Sequence, residues 1–423
     1  MLTISNVCKT VLSNGLAVLS ERMENVRSVS MGIWLKTGAR HDAPEHNGLS
    51  HFVEHMVFKG TTIRSARQIS LHADELGGNL NAFTSQDLVV FHATVLDAHV
   101  ADTLDLLADL ILNPDFPPEE IDRERAVILE EVNATQDDPE YLANDAFMRT
   151  LWKDDPLALP IGGTPDTLAT FTRDTLVRYA REHFTGTNIV FVAAGNVQHE
   201  DLVKKVERYF GRAPAGTPLP RATFPKSFSG STLVNRPTEQ VQMVLGFPAP
   251  PITDARYYIT HLAAMLLGGG PSSRLFQSIR EERGLAYAVT ADFMPYQDTG
   301  YFSVHTGTSP SRIEPVLDIV LRELHRLKTE PVSPGDLRRV KEQLIISQVI
   351  GMETSASRAN ALGGQLLALG HPVSLEECQA RIAGVSEDQV MLLANALFDP
   401  ARLALALVGG LPALKLAPNR LTC

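Results

Sequence analysis

The feature that most constrains the fold of this chain is an internal repeat. In the first half, two strand-like runs (LAVLSE and SVSMGIWLKTG) precede helical patterns, two further runs (NLNAFTS and DLVVFHATV) and more helices. The second half repeats this order with STLVNR, EQVQMVLGF, LAYAVTADF and GYFSVHTG, and the closing runs IVFVAAGNV and RLALALVGG also correspond. One pattern used twice predicts two similar domains rather than one large core.

The order of strands and helices in each half favours the α+β class. We predict two homologous α/β-roll domains, each a mainly antiparallel sheet backed by helices. Residues 211–230 are rich in proline and glycine, which is typical of a linker. The predicted boundaries are therefore 1–210 for the first domain, 211–230 for the linker and 231–423 for the second domain.

A pentad at residues 51–55 (HFVEH) carries the strongest chemical signal in the first half. Positions i, i+3 and i+4 of a helix share a face, so His51, Glu54 and His55 project together. Two imidazoles in this arrangement can bind one metal ion, and Glu54 can take a proton from the attacking water. The alternative interpretation is a solvated polar face beside a core that includes Phe52 and Val53.

Catalytic zinc usually has three protein ligands, so the two histidines need a distant partner. Residues 121–132 (IDRERAVILEEV) have helical composition and follow Pro117-Pro118, a helix-entry signal. Glu124 and Glu131 are two turns apart and lie on one side of this predicted helix. Glu131 is our candidate for the third ligand. The order His-x-x-Glu-His is the inverted zincin arrangement, which structural context must confirm.

Matching features extend from residues 12–16 (LSNGL), through residues 48–61 (GLSHFVEHMVFKGT), to Arg280 and Tyr287. Over essentially its whole length the chain resembles the inverzincin family of pitrilysin, insulin-degrading enzyme and mitochondrial processing peptidase, in its short bacterial, processing peptidase-like form. The resemblance implies one zinc ion per chain. It also implies that His51, His55 and Glu131 are the ligands, with Glu54 as the general base.

Glu124 matches a second acidic residue of the family, and the resemblance implies that it orients a ligand histidine. A plain surface salt bridge is the alternative for this residue. Glu130 is next to the candidate ligand and points to another side of the helix, so it is not included in the site.

The repeat allows the two halves to be compared position by position. Alignment through Gly60 and Gly268 places Ile259, Leu262 and Ala263 opposite the three polar residues of the pentad, and Ser347 opposite Glu131. We therefore assign the metal chemistry to the first domain alone. His261 aligns with Val53, and a structural role is the interpretation we favour for it.

Arg280 and Tyr287 follow a glycine-rich segment at residues 268–276 (GGGPSSRLF). The resemblance implies that they meet the substrate beside the metal. The guanidinium can hold a peptide carbonyl, and the phenol can donate to the oxyanion. In the family each half of a clamshell has the size of this chain, so the resemblance implies a homodimer with composite active sites. Arg280 and Tyr287 of one subunit would then face the zinc of the other.

Residues 77–84 (GGNLNAFT) predict a strand that follows a glycine turn. An exposed edge strand can bind an extended peptide through its backbone, independently of the peptide's sequence. The resemblance implies that Asn81 and Ala82 contact the peptide in this way and that Phe58 lines a side-chain pocket. Phe58 and Phe83 are otherwise ordinary core aromatics, which is the alternative.

Composition excludes several other classes of protein. A net charge of −11 argues against nucleic-acid binding, which needs a basic surface. No apolar stretch is long enough to predict membrane insertion, and the start (MLTISNVCKTVLSNG) lacks the pattern of a secretory signal, so we expect a cytoplasmic protein. Cys8, Cys378 and Cys423 are far apart and are expected to be free thiols.

The predicted function is that of a zinc metalloendopeptidase which hydrolyses peptides or presequence-like unfolded segments. The alternative is a non-catalytic relative that acts as a partner subunit or a peptide-binding module. Manganese or cobalt can occupy the same three ligands.

Overall fold

The structure, a computed structural model, describes residues 6–77, 79–219 and 224–411. The strands in these residues are β1 Val7–Val11, β2 Ala17–Arg22, β3 Ser28–Leu35, β4 Asn81–Thr84, β5 Val89–Leu96, β6 Ile189–Gly195, β7 Gly230–Asn235, β8 Val241–Ala249, β9 Val289–Pro295, β10 Gly300–Thr308 and β11 Ala404–Gly409.

The α-helices are α1 Leu49–Met56, α2 Ala66–Glu75, α3 Val100–Leu112, α4 Pro118–Gln136, α5 Pro139–Trp152, α6 Pro165–Leu168, α7 Arg173–His183, α8 His199–Phe210, α9 Tyr257–Gly268, α10 Ile313–Thr329, α11 Pro334–Gly351, α12 Ser355–Leu369, α13 Leu375–Ala383 and α14 Glu387–Leu397. A π-helix, Phe276–Glu281, lies between α9 and β9.

The chain forms two compact units. The first consists of residues 1–133, 159–221 and 349–374, and the second consists of residues 134–158, 222–348 and 375–423. Each unit therefore contains one segment that the predicted domain boundaries assign to the other half of the chain. These segments carry helix α12 in the first unit and helix α5 in the second.

The sheet of the first unit has the strand order β1-β2-β6-β3-β5-β4 in the described residues. β2 and β6 are parallel, and the other neighbouring strands are antiparallel. Because side chains alternate between the faces of a strand, the sheet has two apolar faces. One face, with Met31 and Phe91, packs in the core formed with α1, α3 and α7. The other face packs against α12.

The sheet of the second unit has the order β7-β11-β8-β10-β9, again with one parallel pair, β7 and β11. Position for position this is the order β2-β6-β3-β5-β4 of the first sheet. The strand correspondence predicted from the internal repeat is therefore confirmed. One face of this sheet contributes Phe247 and Phe302 to the core with α9 and α10, and the other packs against α5.

Helices α5 and α12 approach their sheets closely because a glycine faces an aromatic ring at each contact. A Cβ atom on Gly363 of α12 would lie 2.6 Å from the Trp34 ring of β3. In the second unit the roles are reversed, since a Cβ atom on Gly246 of β8 would lie 2.8 Å from the Phe147 ring of α5. Apolar burial of this kind explains why each helix belongs to its unit although it is distant in sequence from most of it.

The predicted linker forms neither a helix nor a strand in its described residues 211–219 and 224–229. Residues 220–223 of the predicted linker, Gly78 of the predicted peptide-binding segment and Cys423 lie outside the described residues. Within the described chain, no helix combines the length and the apolar character needed to cross a membrane.

Candidate metal centre

Helix α1 begins at a tight turn that is braced from outside the helix. Gly48 has φ 92°, and a Cβ atom there would lie 2.6 Å from the Cα atom of Gly163. Gly48 provides no side-chain cap, but the buried Asp42 accepts hydrogen bonds from the Ser50 N–H at 3.1 Å and the Ser50 hydroxyl at 2.6 Å. The Tyr179 hydroxyl donates to Ser50 Oγ at 3.0 Å. These contacts fix the first turn, from which His51 projects.

The structure brings His51, His55 and Glu131 together. Their nearest donor atoms all lie within 4.8 Å of one another. The two Nε2 atoms are 3.2 Å apart, and Glu131 Oε2 lies 4.0 Å from His51 Nε2 and 3.8 Å from His55 Nε2. Helix α4 starts at Pro118, as predicted, and places Glu131 opposite α1.

This donor set fits a zinc ion. Bonds of about 2.0–2.1 Å at tetrahedral angles place neighbouring donor atoms about 3.3 Å apart. The histidine pair is already at that spacing, and the two longer separations both involve Glu131, whose side chain is 50% exposed and free to adjust. Two imidazoles and one carboxylate are also the ligand types of catalytic zinc sites.

Glu124 contacts His55 through the Nδ1 atom of the imidazole ring. Its Oε1 atom lies 2.8 Å from His55 Nδ1, and its Oε2 atom accepts a salt bridge from Lys59 Nζ at 2.6 Å. Burial by itself would raise the pKa of Glu124, but the hydrogen bonds with His55 and Lys59 lower it below its usual value. A carboxylate at Nδ1 leaves the Nε2 lone pair for a metal. Glu124 is only 4% exposed, so it is not a surface residue, and its contact with His55 Nδ1 is the one that an orienting role requires.

Glu54 lies on the same face of α1, next to the three donor residues. It is 8% exposed, and its Oε2 atom accepts a hydrogen bond from the Thr84 hydroxyl at 2.5 Å. Burial raises the pKa of Glu54; the Thr84 hydrogen bond and the charge of His55 oppose this rise, and the charge of Glu131 adds to it. A carboxylate with a raised pKa beside a metal site is suited to take and return a proton.

The two histidines are in different electrostatic environments. Burial and the neighbouring His55 lower the pKa of His51 to about 4. Burial would also lower the pKa of His55, but the hydrogen bond with Glu124 and the charges of Glu131 and Glu54 raise it overall. His51 is therefore a neutral imidazole at neutral pH, the form that binds metal ions.

Strand β4 lies at the edge of the first sheet and carries the predicted peptide contacts. It pairs with β5 on one side, with Asn81 opposite His92 and Thr84 opposite Val89. On the open side, the Ala82 N–H donates to Asn81 Oδ1 at 2.9 Å. Phe83 is 42% exposed, so it is not a core residue.

Phe58 is half-buried and packs near the Phe91 ring, with 6.1 Å between ring centroids. Part of the Phe58 side chain therefore packs in the core, as the alternative interpretation expects. The exposed part of the side chain is available to a ligand.

The comparisons with known proteins cover most of the chain and agree with one another. Residues 17–165 match the family described as insulinase (peptidase family M16), and residues 170–344 match the peptidase M16 inactive domain. An uncharacterized zinc protease of Streptomyces coelicolor is 37% identical over 93% of this chain and 87% of its own length. Another, from Bacillus subtilis, is 34% identical over 91% of this chain and 94% of its own. The chain belongs to peptidase family M16.

Two solved structures share the fold. A peptidase M16 inactive domain from Pseudomonas fluorescens has a TM-score of 0.91 at 21% identity, covering 97% of this chain and all of that one (100%). A protease from Helicobacter pylori has a TM-score of 0.88 at 20% identity, covering 95% and 99%. The predicted family and the predicted α+β fold with two repeated domains are both confirmed.

The residues that match the peptidase M16 inactive domain, 170–344, include helix α9 of the second unit. Leu262 and Ala263, the residues opposite Glu54 and His55, are fully buried in the apolar core. Among the described residues, the group formed by His51, His55 and Glu131 is the one that could hold a metal ion through histidine, cysteine or carboxylate side chains.

Arg280 and Tyr287 lie together in the second unit. The Arg280 guanidinium carbon is 4.7 Å from the centroid of the Tyr287 ring and 4.7 Å from that of Phe276. Both line a pocket of about 520 Å³ together with Gly284, Leu285 and Arg312. Tyr287 is 80% exposed, which is unusual for an aromatic side chain with only a structural role. The π-helix places Arg280 over these rings, and such helical turns are frequent at functional sites.

Two further residues belong to the site, Lys59 and Thr84. Lys59 follows His55 by one helical turn, and that spacing is the signal that could have identified it. Thr84 has no comparable signal, because its contact with Glu54 depends on how β4 lies against α1.

Proposed function

We propose that this chain is a zinc-dependent endopeptidase that hydrolyses peptides or presequence-like unfolded segments in the cytoplasm. The observation that carries this proposal is the arrangement of His51, His55 and Glu131 around one point, with the buried Glu54 beside them. Membership of peptidase family M16 and the relatives named zinc proteases support it. Zinc held by the three ligands would polarise the scissile carbonyl and lower the pKa of the attacking water.

The surrounding residues prepare the site for this reaction. Glu124 fixes the ring of His55, and Lys59 balances the charge of Glu124. Glu54 takes a proton from the attacking water and later passes it to the leaving amine, as the general base of a peptidase does. Each of these side chains is held by contacts within the first unit, so little rearrangement precedes the reaction.

The substrate is proposed to pair with the open edge of β4. An extended peptide there forms backbone hydrogen bonds with any sequence, and Asn81 must first release the Ala82 N–H. Folded proteins cannot present such a strand, which favours short or unfolded substrates. Phe58 and Phe83 are positioned to contact substrate side chains.

A quenched fluorescent peptide tests the proposal. The wild-type chain should cleave it, a chelator should abolish cleavage, and added zinc should restore it. Glu54→Gln should keep its zinc and lose activity by at least about 100-fold, since general base catalysis contributes this much. Glu130→Gln, an exposed carboxylate near the site, is the matched control and should retain full activity. Peptide binding without cleavage by the zinc-loaded wild type would favour the non-catalytic alternative.

Arg280 and Tyr287 are proposed to complete the site from a second copy of the chain, in a homodimer. The partner subunit's Arg280 would hold a peptide carbonyl, and the partner subunit's Tyr287 would donate to the oxyanion. Their exposed position at a pocket supports a role in ligand binding.

Mixing Glu54→Gln chains with Tyr287→Phe chains tests the homodimer. Under free subunit exchange half the dimers are mixed and each has one intact site, so activity should return to about a quarter of the wild-type level. If both residues act within one chain, no activity should return.

A further inference from the structure

Thr84 connects the open edge strand to Glu54. We propose that Thr84 is a positioning residue, which holds the Glu54 carboxylate in place for proton transfer and fixes its distance from a peptide paired on β4. This inference rests on the proposed peptidase function. Its central observation is the 2.5 Å hydrogen bond from the Thr84 hydroxyl to Glu54 Oε2.

The hydrogen bond engages one oxygen of a buried carboxylate. Glu54 is 8% exposed, and a buried charged group needs hydrogen-bond partners to keep its position. With Oε2 held by Thr84, the Oε1 atom remains for the attacking water. Loss of the donor would leave the side chain free to turn about its terminal bond, and a displacement of about 1 Å can cost about 100-fold in rate.

Side chains alternate between the two faces of β4, which explains how one strand can both pair with a peptide and support Glu54. Ala82 and Thr84 point to one face of the sheet, towards the core that contains α1, while Asn81 and Phe83 point to the other. The backbone edge lies between these faces. A peptide that pairs with this edge therefore lies at a distance from Glu54 that the Thr84 side chain sets.

The end of β4 is anchored, so Thr84 is a rigid support. The next residue, Ser85, donates its N–H to Leu88 O at 2.7 Å, and Ser85 Oγ accepts the Leu88 N–H at 3.0 Å. Ser85 O also accepts the Ala39 N–H at 2.9 Å. Threonine suits such a position because its branched side chain has few rotamers and favours strands.

The test compares Thr84→Val, which keeps the shape and removes the donor, with Thr84→Ser, which keeps the donor. In the zinc-loaded full-length protein, Thr84→Val should lower kcat by about 10- to 100-fold. KM should change by less than about twofold, because the peptide edge is intact. Thr84→Ser should recover most of the loss. Zinc content should be the same in all three proteins.

Coupling to Glu54 distinguishes positioning from a general structural effect. In a Glu54→Gln background, Thr84→Val should cause no further loss of the residual activity, because the carboxylate it supports is already absent. An independent loss of the same size in both backgrounds would overturn the proposal. So would a change in KM without a change in kcat.

Crystal structures of wild type and Thr84→Val provide a readout that does not depend on activity. Glu54 should have one ordered position in the wild type and in Thr84→Ser, and a displaced or multiple position in Thr84→Val. An unmoved Glu54 in Thr84→Val would refute the inference. If Glu54 moves as expected but no peptide is cleaved by the wild type, then the proposed function fails and the positioning contact stands.

Discussion

Helices α1 and α9 follow matching strands in two sheets that share the order of five strands, yet they have different chemistry. Helix α1 spans eight residues and presents His51, Glu54 and His55 on one face. Helix α9 spans twelve residues and buries Leu262 and Ala263 at the matching positions. The repeated fold therefore does not require a polar cluster at this place.

The difference extends to the surroundings of each helix. Around α1, polar groups from four other segments hold the helix and its side chains: the buried Asp42, Glu124 and Tyr179 and the half-buried Thr84. Around α9, the neighbours are mainly apolar side chains of β9 and α14. A metal site on this scaffold thus needs a set of supporting contacts as well as its ligands, since each buried polar group requires a partner.

The largest difference between the two units should appear on removal of a histidine. His55→Ala deletes a proposed ligand and should reduce bound zinc from the proposed one ion per chain to nearly none after dialysis. This loss should exceed the about 10- to 100-fold weakening that follows the loss of a partner of a ligand histidine. His261→Leu, in the second unit, should keep full zinc content. Elemental analysis measures both. Zinc retained by His55→Ala, or lost by His261→Leu, would break the assignment of metal binding to the first unit alone.

The next largest effect concerns the support behind the ligands. Glu124→Gln should weaken zinc binding by about 10- to 100-fold, as the loss of a carboxylate partner of a ligand histidine commonly does. The glutamine oxygen can still accept from His55, but its amide nitrogen then faces the Lys59 ammonium, which is also a donor.

The control for this prediction lies on the same helix. Glu130→Gln removes an equal charge from an exposed position and should change zinc affinity by less than about twofold, because water screens it. Competition with a chromogenic chelator gives both affinities. Equal weakening by the two substitutions would mean that overall charge, rather than orientation of His55, governs binding.

Local patterns in the sequence predict which side chains of the first unit the structure brings together. Helical spacing alone places His51, Glu54 and His55 on one face, and the Pro117-Pro118 signal predicts the helix that carries Glu131. The pairing of strands could also be predicted, because each half supplies the same order of apolar runs.

Contacts that depend on tertiary placement could not be predicted in this way. Helix α12 packs against Trp34, and its best signal, the glycine pair at Gly363 and Gly364, does not indicate which sheet it meets. The sequence of helix α5 likewise does not indicate which sheet it packs against. Thr84 is an ordinary strand residue until β4 lies beside α1, so its role follows only from the structure.

The starts of the two helices offer a stability comparison. Gly48 at the start of α1 has φ 92°, whereas Arg256 at the start of α9 has φ −81°. Gly48→Ala should lower the free energy of unfolding by at least about 2 kcal/mol, because a left-handed conformation costs about 1–2 kcal/mol in itself and the added Cβ would meet Gly163. Arg256→Ala loses an exposed ion pair with Asp254 and should cost about 1 kcal/mol or less. Chemical denaturation of the zinc-free proteins gives both values, and a Gly48→Ala protein as stable as wild type would contradict the tight approach.

The smallest predicted effect concerns the histidine of the second unit. His261 is packed between the Tyr257 and Phe293 rings, at 4.7 and 4.9 Å between centroids, and burial lowers its pKa to about 4. The unfolded chain binds a proton here near pH 6.5 while the folded chain does not, so this residue makes stability fall as pH drops from about 6.5 towards 4. Between pH 7 and pH 5 the loss is about 1–2 kcal/mol. The His261→Leu variant lacks this titrating group. Lowering the pH from 7 to 5 should therefore destabilise the wild type by about 1–2 kcal/mol more than the variant. A difference that does not change with pH would show that folding leaves proton binding by His261 unchanged, and would weaken its assignment as a purely structural counterpart of the candidate metal ligands.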